Sequence, residues 1–213
     1  MITKFPPLEL ADPETGLLAV GGDLEIDTLE LAYRNGIFPW PLIDKQLLWF
    51  APPERTILEF KDFHCPKRLQ RSLVSSSFDL KVNTNFLAVI KACATSQNRK
   101  SQHGSWITND MVNAYYNFHE AGFAHSFEAY NTKGELVGGL YGVRINDYFA
   151  GESMFYMETN ASKFALVHTV AYLEKDGLTW MDVQQHTPLL ASFGAKEIPR
   201  TQFMNMLAEA LND

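Results

Sequence analysis

The second half of the chain carries three mostly apolar segments separated by turn residues at 132–134 and 146–147, which predicts three successive strands over residues 124–130, 136–143 and 148–155. A helical period then runs over residues 161–175, and a short apolar strand follows over residues 179–183. Two more helices complete the chain. An antiparallel meander followed by a helix, a strand and a helix predicts an α+β domain. We expect its sheet to open after the long helix and to leave a cleft there.

The first half of the chain is less regular, because its first 60 residues are rich in proline and show one clear helix. Short strands are predicted over residues 47–50 and 56–60, and helices are predicted to begin near residues 66, 85 and 108. This change of pattern predicts two domains. They are a small N-terminal α/β domain over residues 1–60 and a larger domain over residues 61–213.

The composition, with 46% hydrophobic and 20% charged residues, is that of a folded globular chain rather than a disordered one. No apolar run approaches the roughly 18–20 residues that span a bilayer, and the N-terminus lacks the pattern of a signal peptide. The two cysteines, Cys65 and Cys93, form no CxxC motif. A cytoplasmic protein with no membrane partner is expected.

The formal net charge of −7 hides a local excess of positive charge. Nine of the 18 lysine and arginine residues fall between residues 54 and 100, against four acidic residues, so this basic window carries +5 and the remainder −12. One face of an otherwise acidic protein is therefore suited to a polyanion such as nucleic acid. The alternative is a pair of solvated helix faces.

The sequence lacks motifs for metal or nucleotide chemistry. His119-Glu120 resembles the start of a zinc-binding HExxH motif, but the next histidine, His125, does not share its helix face. Residues 151–155 lack the second glycine of a nucleophile elbow, and residues 138–142 match neither a Walker A nor a dinucleotide motif. If the protein is an enzyme, we expect it to use no metal ion or cofactor and to act on a substrate that is already activated.

Several short stretches are too particular for generic packing, and their order along the chain is specific. They are GLLAVGGDL (16–24), GIFPW (36–40), WIT (106–108), AHSFE (124–128), LVGGLYGV (136–143), GESMF (151–155), NASK (160–163), DVQ (182–184), SFGA (192–195) and IPR (198–200). As an ordered set they resemble the bacterial leucyl/phenylalanyl-tRNA–protein transferases over residues 5–203. The sequence departs from that family at Tyr156-Met157, where Ser-Arg is common, and at Leu189, where His is usual.

The resemblance implies an acetyltransferase (GNAT)-like catalytic domain over residues 61–213, with the small N-terminal domain packed on it. It implies that the α-amine of a protein beginning with Arg or Lys attacks the ester carbonyl of Leu-tRNA or Phe-tRNA. The product is a longer N-terminus that marks the protein for degradation. The partners would be Leu-tRNA, Phe-tRNA and such proteins, with no cofactor, metal ion or membrane involved.

The resemblance places the reaction at Asp182, Gln184 and Glu152. Asp182 and Gln184 lie two apart on a predicted strand, so both side chains project from one face. We expect Gln184 to hydrogen-bond the incoming amine or the carbonyl, and Asp182 to fix that amide. The proton could go to Asp182, to water or to the terminal hydroxyl of the tRNA. Without the resemblance, the Asp-x-Gln pair would be interpreted as a turn cap.

Glu152 and two tryptophans complete the expected contacts to the substrates. Glu152 lies on a predicted interior strand, where an unpaired carboxylate is costly, so it should have a cationic partner. That partner is either the acceptor's amine or basic side chain, or a structural partner within the protein. Trp40 and Trp106 match family positions that stack on the terminal adenosine of the tRNA, a contact worth roughly 1–3 kcal/mol per base. Both could instead be core residues.

The remaining site residues follow from the resemblance in two groups. An apolar pocket for the Leu or Phe side chain is expected from Leu140, Phe149, Met154, Leu166, Leu173 and Met181, each of which could equally be core. Contacts to the phosphates of the acceptor stem are expected from Lys67, Arg68 and Arg71, which lie at helical spacing in the basic window.

Two other functions remain compatible with parts of the sequence. An acetyl-CoA-dependent N-acetyltransferase would share the fold, but it needs a glycine-rich loop before the long helix, and residues 156–160 contain no glycine. A non-catalytic adaptor for basic N-termini would explain Glu152. It would leave the basic window and the two tryptophans unexplained.

Overall fold

The computed structural model describes residues 1–41, 46–95 and 107–212. Within these residues the first elements are β1 (Leu17–Val20), α1 (Ile26–Arg34), β2 (Phe38–Pro41) and β3 (Leu47–Phe50). The strands form a small antiparallel sheet in the order β1-β3-β2. Trp49 anchors this sheet, since its indole donates a hydrogen bond to the carbonyl oxygen of Gly21 at 2.9 Å and the residue is fully buried.

A second, larger sheet runs through the centre of the molecule. Its strands are β4 (Glu54–Glu59), β5 (Asp79–Val82), β6 (Ala124–Tyr130), β7 (Leu136–Ile145), β8 (Tyr148–Tyr156), β9 (Trp180–Gln184) and β10 (Lys196–Pro199). They lie in the order β10-β4-β9-β8-β7-β6-β5. β8 and β9 run parallel because α5 (Ala161–Lys175) crosses over between them, whereas the other neighbouring strands pair antiparallel.

Helices cover both faces of this sheet. Besides α1 and α5 they are α2 (Lys67–Ser75), α3 (Phe86–Thr95), α4 (Asn109–Glu120), α6 (Pro188–Ala191) and α7 (Arg200–Leu211), and 3₁₀ turns lie at Leu8–Leu10 and Phe60–Asp62. Successive side chains of a strand point to opposite faces, so β7 and β8 each supply residues to two hydrophobic cores. Tyr141 and Tyr148 join the N-terminal core, with residues of α1, α3, α4 and α7. Leu140 and Phe149 join the α5 core, with residues of α5.

The α+β class predicted from the sequence is confirmed. The long helix α5 has the predicted bounds, and β6, β7 and β8 begin at the predicted residues. Four short strands, β1, β2, β5 and β10, have no clear pattern in the sequence and were not predicted; each is four residues long. β5 and β10 are the two edges of the large sheet, and both carry charged side chains that obscure a strand pattern but protect a sheet edge from further pairing.

The strand β4 lies before the domain boundary predicted at residue 60, yet it pairs with β9 and β10 in the large sheet. It therefore carries a residue of the N-terminal segment, Arg55, into the centre of the molecule, where its side chain is 2% exposed. The division into domains at residues 1–60 and 61–213 stays a prediction.

Candidate active site

The parallel strands β8 and β9 meet in a backbone register that pairs Ala150 with Asp182. Two residues further along each strand, a side-chain contact joins them: Gln184 Nε2 donates a hydrogen bond to Glu152 Oε1 at 2.9 Å. Two residues that the sequence analysis assigned to the reaction are thus in direct contact. They lie on β8 and β9, the two strands that α5 connects, and this is where the sequence predicts that the sheet opens.

A β-bulge lies at Glu152. In the β7–β8 register Tyr141 pairs with Ser153 and Gly142 pairs with Gly151, so Glu152 is the extra residue on β8. A bulge changes which face the following side chains occupy. Beyond it Met154 packs against the α5 core, while the Glu152 carboxylate is within hydrogen-bonding reach of Tyr33, a residue of the N-terminal core.

Asp182 is fully buried, and its carboxylate is surrounded by donors. Arg55 donates from Nε to Oδ1 at 2.9 Å and from Nη2 to Oδ2 at 2.7 Å, and the Tyr148 hydroxyl donates to Oδ2 at 2.7 Å. The backbone N–H of Gln184 donates to Oδ1 at 2.9 Å. Asp182 therefore fixes the main chain of Gln184. The sequence predicted instead that Asp182 would hold the side-chain amide of Gln184, but that amide is held by Glu152.

Arg55 is the partner of Asp182 that the sequence analysis missed. Its guanidinium carbon lies 4.6 Å from the ring centroids of both Phe38 and Phe203, and Nη1 donates to the carbonyl oxygen of Gly36 at 3.1 Å. Burial opposes the charged form, but the adjacent Asp182 carboxylate raises the pKa of Arg55 above its ordinary value. The available signal was an arginine directly before the apolar strand residues Thr56-Ile57-Leu58.

Gln184 adopts a backbone conformation that non-glycine residues seldom adopt. Its φ is +53°, and the N–H of Gln185 donates to the carbonyl oxygen of Val183 at 2.6 Å across it, so the chain turns tightly at this residue. A non-glycine residue held in this region costs of order 1–3 kcal/mol, and such strain clusters at functional sites. The strain is balanced by the bonds that Asp182 and Glu152 make to the same residue.

The Glu152 carboxyl has an unusual titration. Burial raises the pKa of Glu152 to about 7, and the negative charge of Asp182 adds to this effect. Hydrogen bonds from Tyr33 and Gln184, and the charge of Arg55, oppose it. The Tyr33 hydroxyl in turn lies 2.5 Å from that of Tyr115, and burial raises the pKa of both tyrosines well above the usual range, so both stay protonated at neutral pH.

The cationic partner predicted for Glu152 is not found among the described residues, where its carboxylate meets the neutral Gln184 amide and Tyr33 hydroxyl. A cation that enters the site would therefore be its first strong counter-charge. This arrangement leaves the acceptor's amine or basic side chain as the partner to consider.

The raised pKa of Glu152 predicts how folding stability depends on pH. Relative to its ordinary value of 4.5, the folded protein holds this proton more tightly, so the resulting stabilisation is complete below about pH 4.5 and is lost as the pH rises through about 7. Between pH 5.5 and 8.0 the wild type should lose about 2 kcal/mol of unfolding free energy relative to Glu152→Gln, which lacks this proton. Urea unfolding of both proteins at the two pH values measures this difference. Parallel pH profiles would contradict the assignment.

The six residues predicted to form the apolar pocket are brought together by the fold. Five are buried members of the α5 core and the sixth, Met154, packs against it from a partly buried position: Leu140, Phe149, Met154, Leu166, Leu173 and Met181. The cluster reaches the Glu152 strand, because a Cβ at Gly151 would lie only 2.8 Å from the Met181 methyl group. Because residue 151 is glycine, the Met181 side chain can lie close to β8 next to Glu152. A methionine side chain adapts to more than one shape.

The residues expected to contact tRNA differ in exposure, because Trp40 packs against the N-terminal core and the three basic residues of α2 are at the surface. Trp40 is partly buried on β2 opposite Leu48, whereas Trp106 lies outside the described residues. Lys67, Arg68 and Arg71 are exposed on α2, and Lys67 and Arg71 line a shallow concavity with Gln70 and Val74. The exposed positive charge of the basic window is smaller than its sum suggests, since Arg55 is buried against Asp182, which lies outside the window.

In the described part of the chain, no group of three or more His, Cys, Asp or Glu side chains could hold a metal ion. His119 instead stacks on Phe86 at a centroid distance of 4.5 Å, and its Nδ1 donates to the carbonyl oxygen of Ala124. Likewise, none of the helices described is long and apolar enough to cross a bilayer.

A mixed sheet with a helical crossover between its parallel strands defines a protein of GNAT-like fold. The crystal structure of FemX shares this fold, with a TM-score of 0.52 and 11% sequence identity over 84% of this chain and 70% of that chain. The GNAT-like fold predicted from the sequence is confirmed.

Comparison of sequences gives the family. Residues 57–208 match the model of the leucyl/phenylalanyl-tRNA protein transferase family, and residues 22–53 match that of its N-terminal domain. The leucyl/phenylalanyl-tRNA–protein transferase of Pseudoalteromonas translucida (strain TAC 125) is 45% identical over 209 residues, 98% of this chain and 87% of that protein. The enzyme of that name from Nitrosospira multiformis is 46% identical over 98% of this chain and 89% of its own. The chain belongs to the leucyl/phenylalanyl-tRNA–protein transferase family, and it is an aminoacyltransferase.

Proposed function

We propose that this chain transfers leucine or phenylalanine from aminoacyl-tRNA to the N-terminal α-amine of proteins that begin with Arg or Lys, which marks those proteins for degradation. The observation that carries the proposal is the contact between Gln184 and Glu152, which lies beside the apolar cluster at Gly151. An amide and a carboxylate suit an amine, and the cluster suits a Leu or Phe side chain. The names of the relatives supply the donor.

The donor would be held at three places. Its aminoacyl side chain would occupy the apolar pocket, which makes no polar demand. Such a pocket favours Leu or Phe over a smaller side chain by only about 1–3 kcal/mol per methylene, so valine is excluded imperfectly. Trp40 and Trp106 would stack on the terminal adenosine, and the basic face of α2 would contact phosphates without reading sequence. Since charged tRNA is used in the cytoplasm, we propose that compartment.

The acceptor would be held by the pair itself. Because Gln184 Nε2 donates to Glu152, the carbonyl oxygen of the same amide is the end that can accept a hydrogen bond from an amine. Glu152, when ionised, would attract the cationic N-terminus or the basic side chain of the first residue. After the α-amine has lost one proton, its nitrogen attacks the ester carbonyl and the new C–N bond forms. The ester C–O bond then breaks, and the proton that leaves the nitrogen balances the one taken up by the departing oxygen, which is released as the terminal hydroxyl of the tRNA.

The structure bears on where the amine's proton goes. Asp182 is buried and already accepts hydrogen bonds from Arg55, Tyr148 and the main chain, which leaves it poorly placed to act as a base. Glu152, with a pKa of about 7, is suited to take a proton at neutral pH. Most of the rate would come from holding the two substrates in register, where effective molarities of roughly 10⁵–10⁸ M are attainable.

The direct test mixes the protein with radiolabelled Leu-tRNA and peptides that differ at the N-terminus. Label is expected in a peptide beginning with Arg, and none in the same peptide when its α-amine is acetylated or when it begins with Glu. Labelled acetyl-CoA, the donor of the alternative N-acetyltransferase function, should give no transfer. Acetyl transfer, or equal labelling of the Arg and Glu peptides, would refute the proposal.

A further inference from the structure

We infer that Arg55 is a positioning residue for aminoacyl transfer, which acts by holding the Gln184 amide in place through Asp182. This inference rests on the proposed role of Gln184. The guanidinium does not reach Gln184 itself. It binds both carboxylate oxygens of Asp182, and Oδ1 of that carboxylate accepts the Gln184 N–H at 2.9 Å.

The Arg55 guanidinium is held by two aromatic rings as well as by its hydrogen bonds. The rings of Phe38 and Phe203 lie on its faces, each with a centroid 4.6 Å from the guanidinium carbon. Its remaining Nη1 donates to the carbonyl oxygen of Gly36, at the entry to the strand β2 that carries Trp40. A planar fork stacked between two rings is a geometry that arginine provides and lysine does not.

The consequence is a rigid connection from β2 to the turn at Gln184. Since the φ of Gln184 is +53°, its main chain needs a bond that holds it in that region, and Asp182 supplies this bond only where Arg55 and Tyr148 hold the carboxylate. If the carboxylate shifts, the amide loses its aim at Glu152 and at the incoming amine. The residue touches neither substrate, so its effect should pass through Gln184.

A double-mutant cycle tests this dependence. Arg55→Lys keeps the charge but loses the fork, and we expect turnover to fall about 100-fold while the KM for aminoacyl-tRNA changes less than about 3-fold. In a Gln184→Ala background the same substitution should lower turnover less than about 3-fold further, because the amide that it positions is gone. Arg34→Lys, at an exposed arginine paired with Glu30, should leave turnover unchanged.

The outcomes separate the two claims. Equal losses from Arg55→Lys in both backgrounds would overturn the inference and leave the role of Gln184 intact. Full turnover by Gln184→Ala alone would instead overturn the proposed role of Gln184, and no transfer by the wild type would overturn the proposed function. If Arg55→Lys does not fold, Tyr148→Phe replaces it: this variant removes one donor to Asp182 and should lower turnover about 5-fold, again only where Gln184 is present. If Tyr148→Phe also lowered turnover about 5-fold in the Gln184→Ala background, the inference would equally be overturned.

Discussion

Asp182→Ala is expected to lower the free energy of unfolding by about 3–5 kcal/mol, the range for removing one partner of a buried ion pair. The substitution leaves the guanidinium of Arg55, which is 2% exposed, without its counter-charge. It also removes the acceptor of the Tyr148 hydroxyl and of the Gln184 N–H. Urea unfolding at pH 7 measures the change. The matched control is Asp176→Ala, whose carboxylate pairs with Arg144 at the surface and should contribute less than about 1 kcal/mol.

Enzyme kinetics on the same variant separate its structural effect from its effect on the reaction. At a temperature where Asp182→Ala remains folded, turnover should fall far more than the affinity for tRNA, since Asp182 holds Gln184 and contacts no expected tRNA site. Equal losses of turnover and of tRNA affinity would show that Asp182 has been misassigned. An unfolding free energy within about 1 kcal/mol of the wild type would contradict the buried ion pair.

The sequence predicted the centre of the fold better than its edges, for a physical reason. The strands β6 to β8 and the helix α5 are long and largely buried, so their apolar residues mark them clearly in the sequence. The edge strands β5 and β10 contact one neighbour each and are four residues long. A pattern of that length with charged side chains cannot be told from a loop without knowing which strand lies beside it.

The site shows the same limit. Asp182, Gln184 and Glu152 were predicted by resemblance, whereas Arg55 was counted as part of a basic surface. Arg55 and Asp182 are separated by 127 residues, and only the pairing of β4 with β9 brings them together. No local pattern in the sequence predicts that these two strands pair.

The bulge at Glu152 is a second feature that the sequence could not supply. Strict alternation along β8 would place Glu152 and Met154 on one face of the sheet. The shifted register instead leaves Glu152 beside Tyr33 and turns Met154 toward the α5 core. One residue out of register therefore places Glu152 and Met154 on opposite faces of the same strand.

Gln184→Gly is expected to lower turnover about 100-fold, to a level that can still be measured, while the unfolding free energy stays within about 1 kcal/mol of the wild type. Glycine accepts the φ of +53° without strain, and this gain offsets the flexibility that glycine adds to the unfolded chain and the lost bond to Glu152. The measurements are turnover with Leu-tRNA and an Arg peptide, and urea unfolding. A residue whose removal costs activity but little stability is one that the fold holds in strain for its chemistry.

The neighbouring glutamine provides the matched control, because Gln185→Gly makes the same chemical change one residue further along, at an exposed position. That variant should keep its turnover and lose about 0.4–1 kcal/mol of stability through the unfolded chain alone. If the two variants lost turnover alike, backbone flexibility at this turn would explain the effect and the amide would have no special role. If Gln184→Gly kept its turnover, the amide would be dispensable, and the amine would have to be held by Glu152 alone.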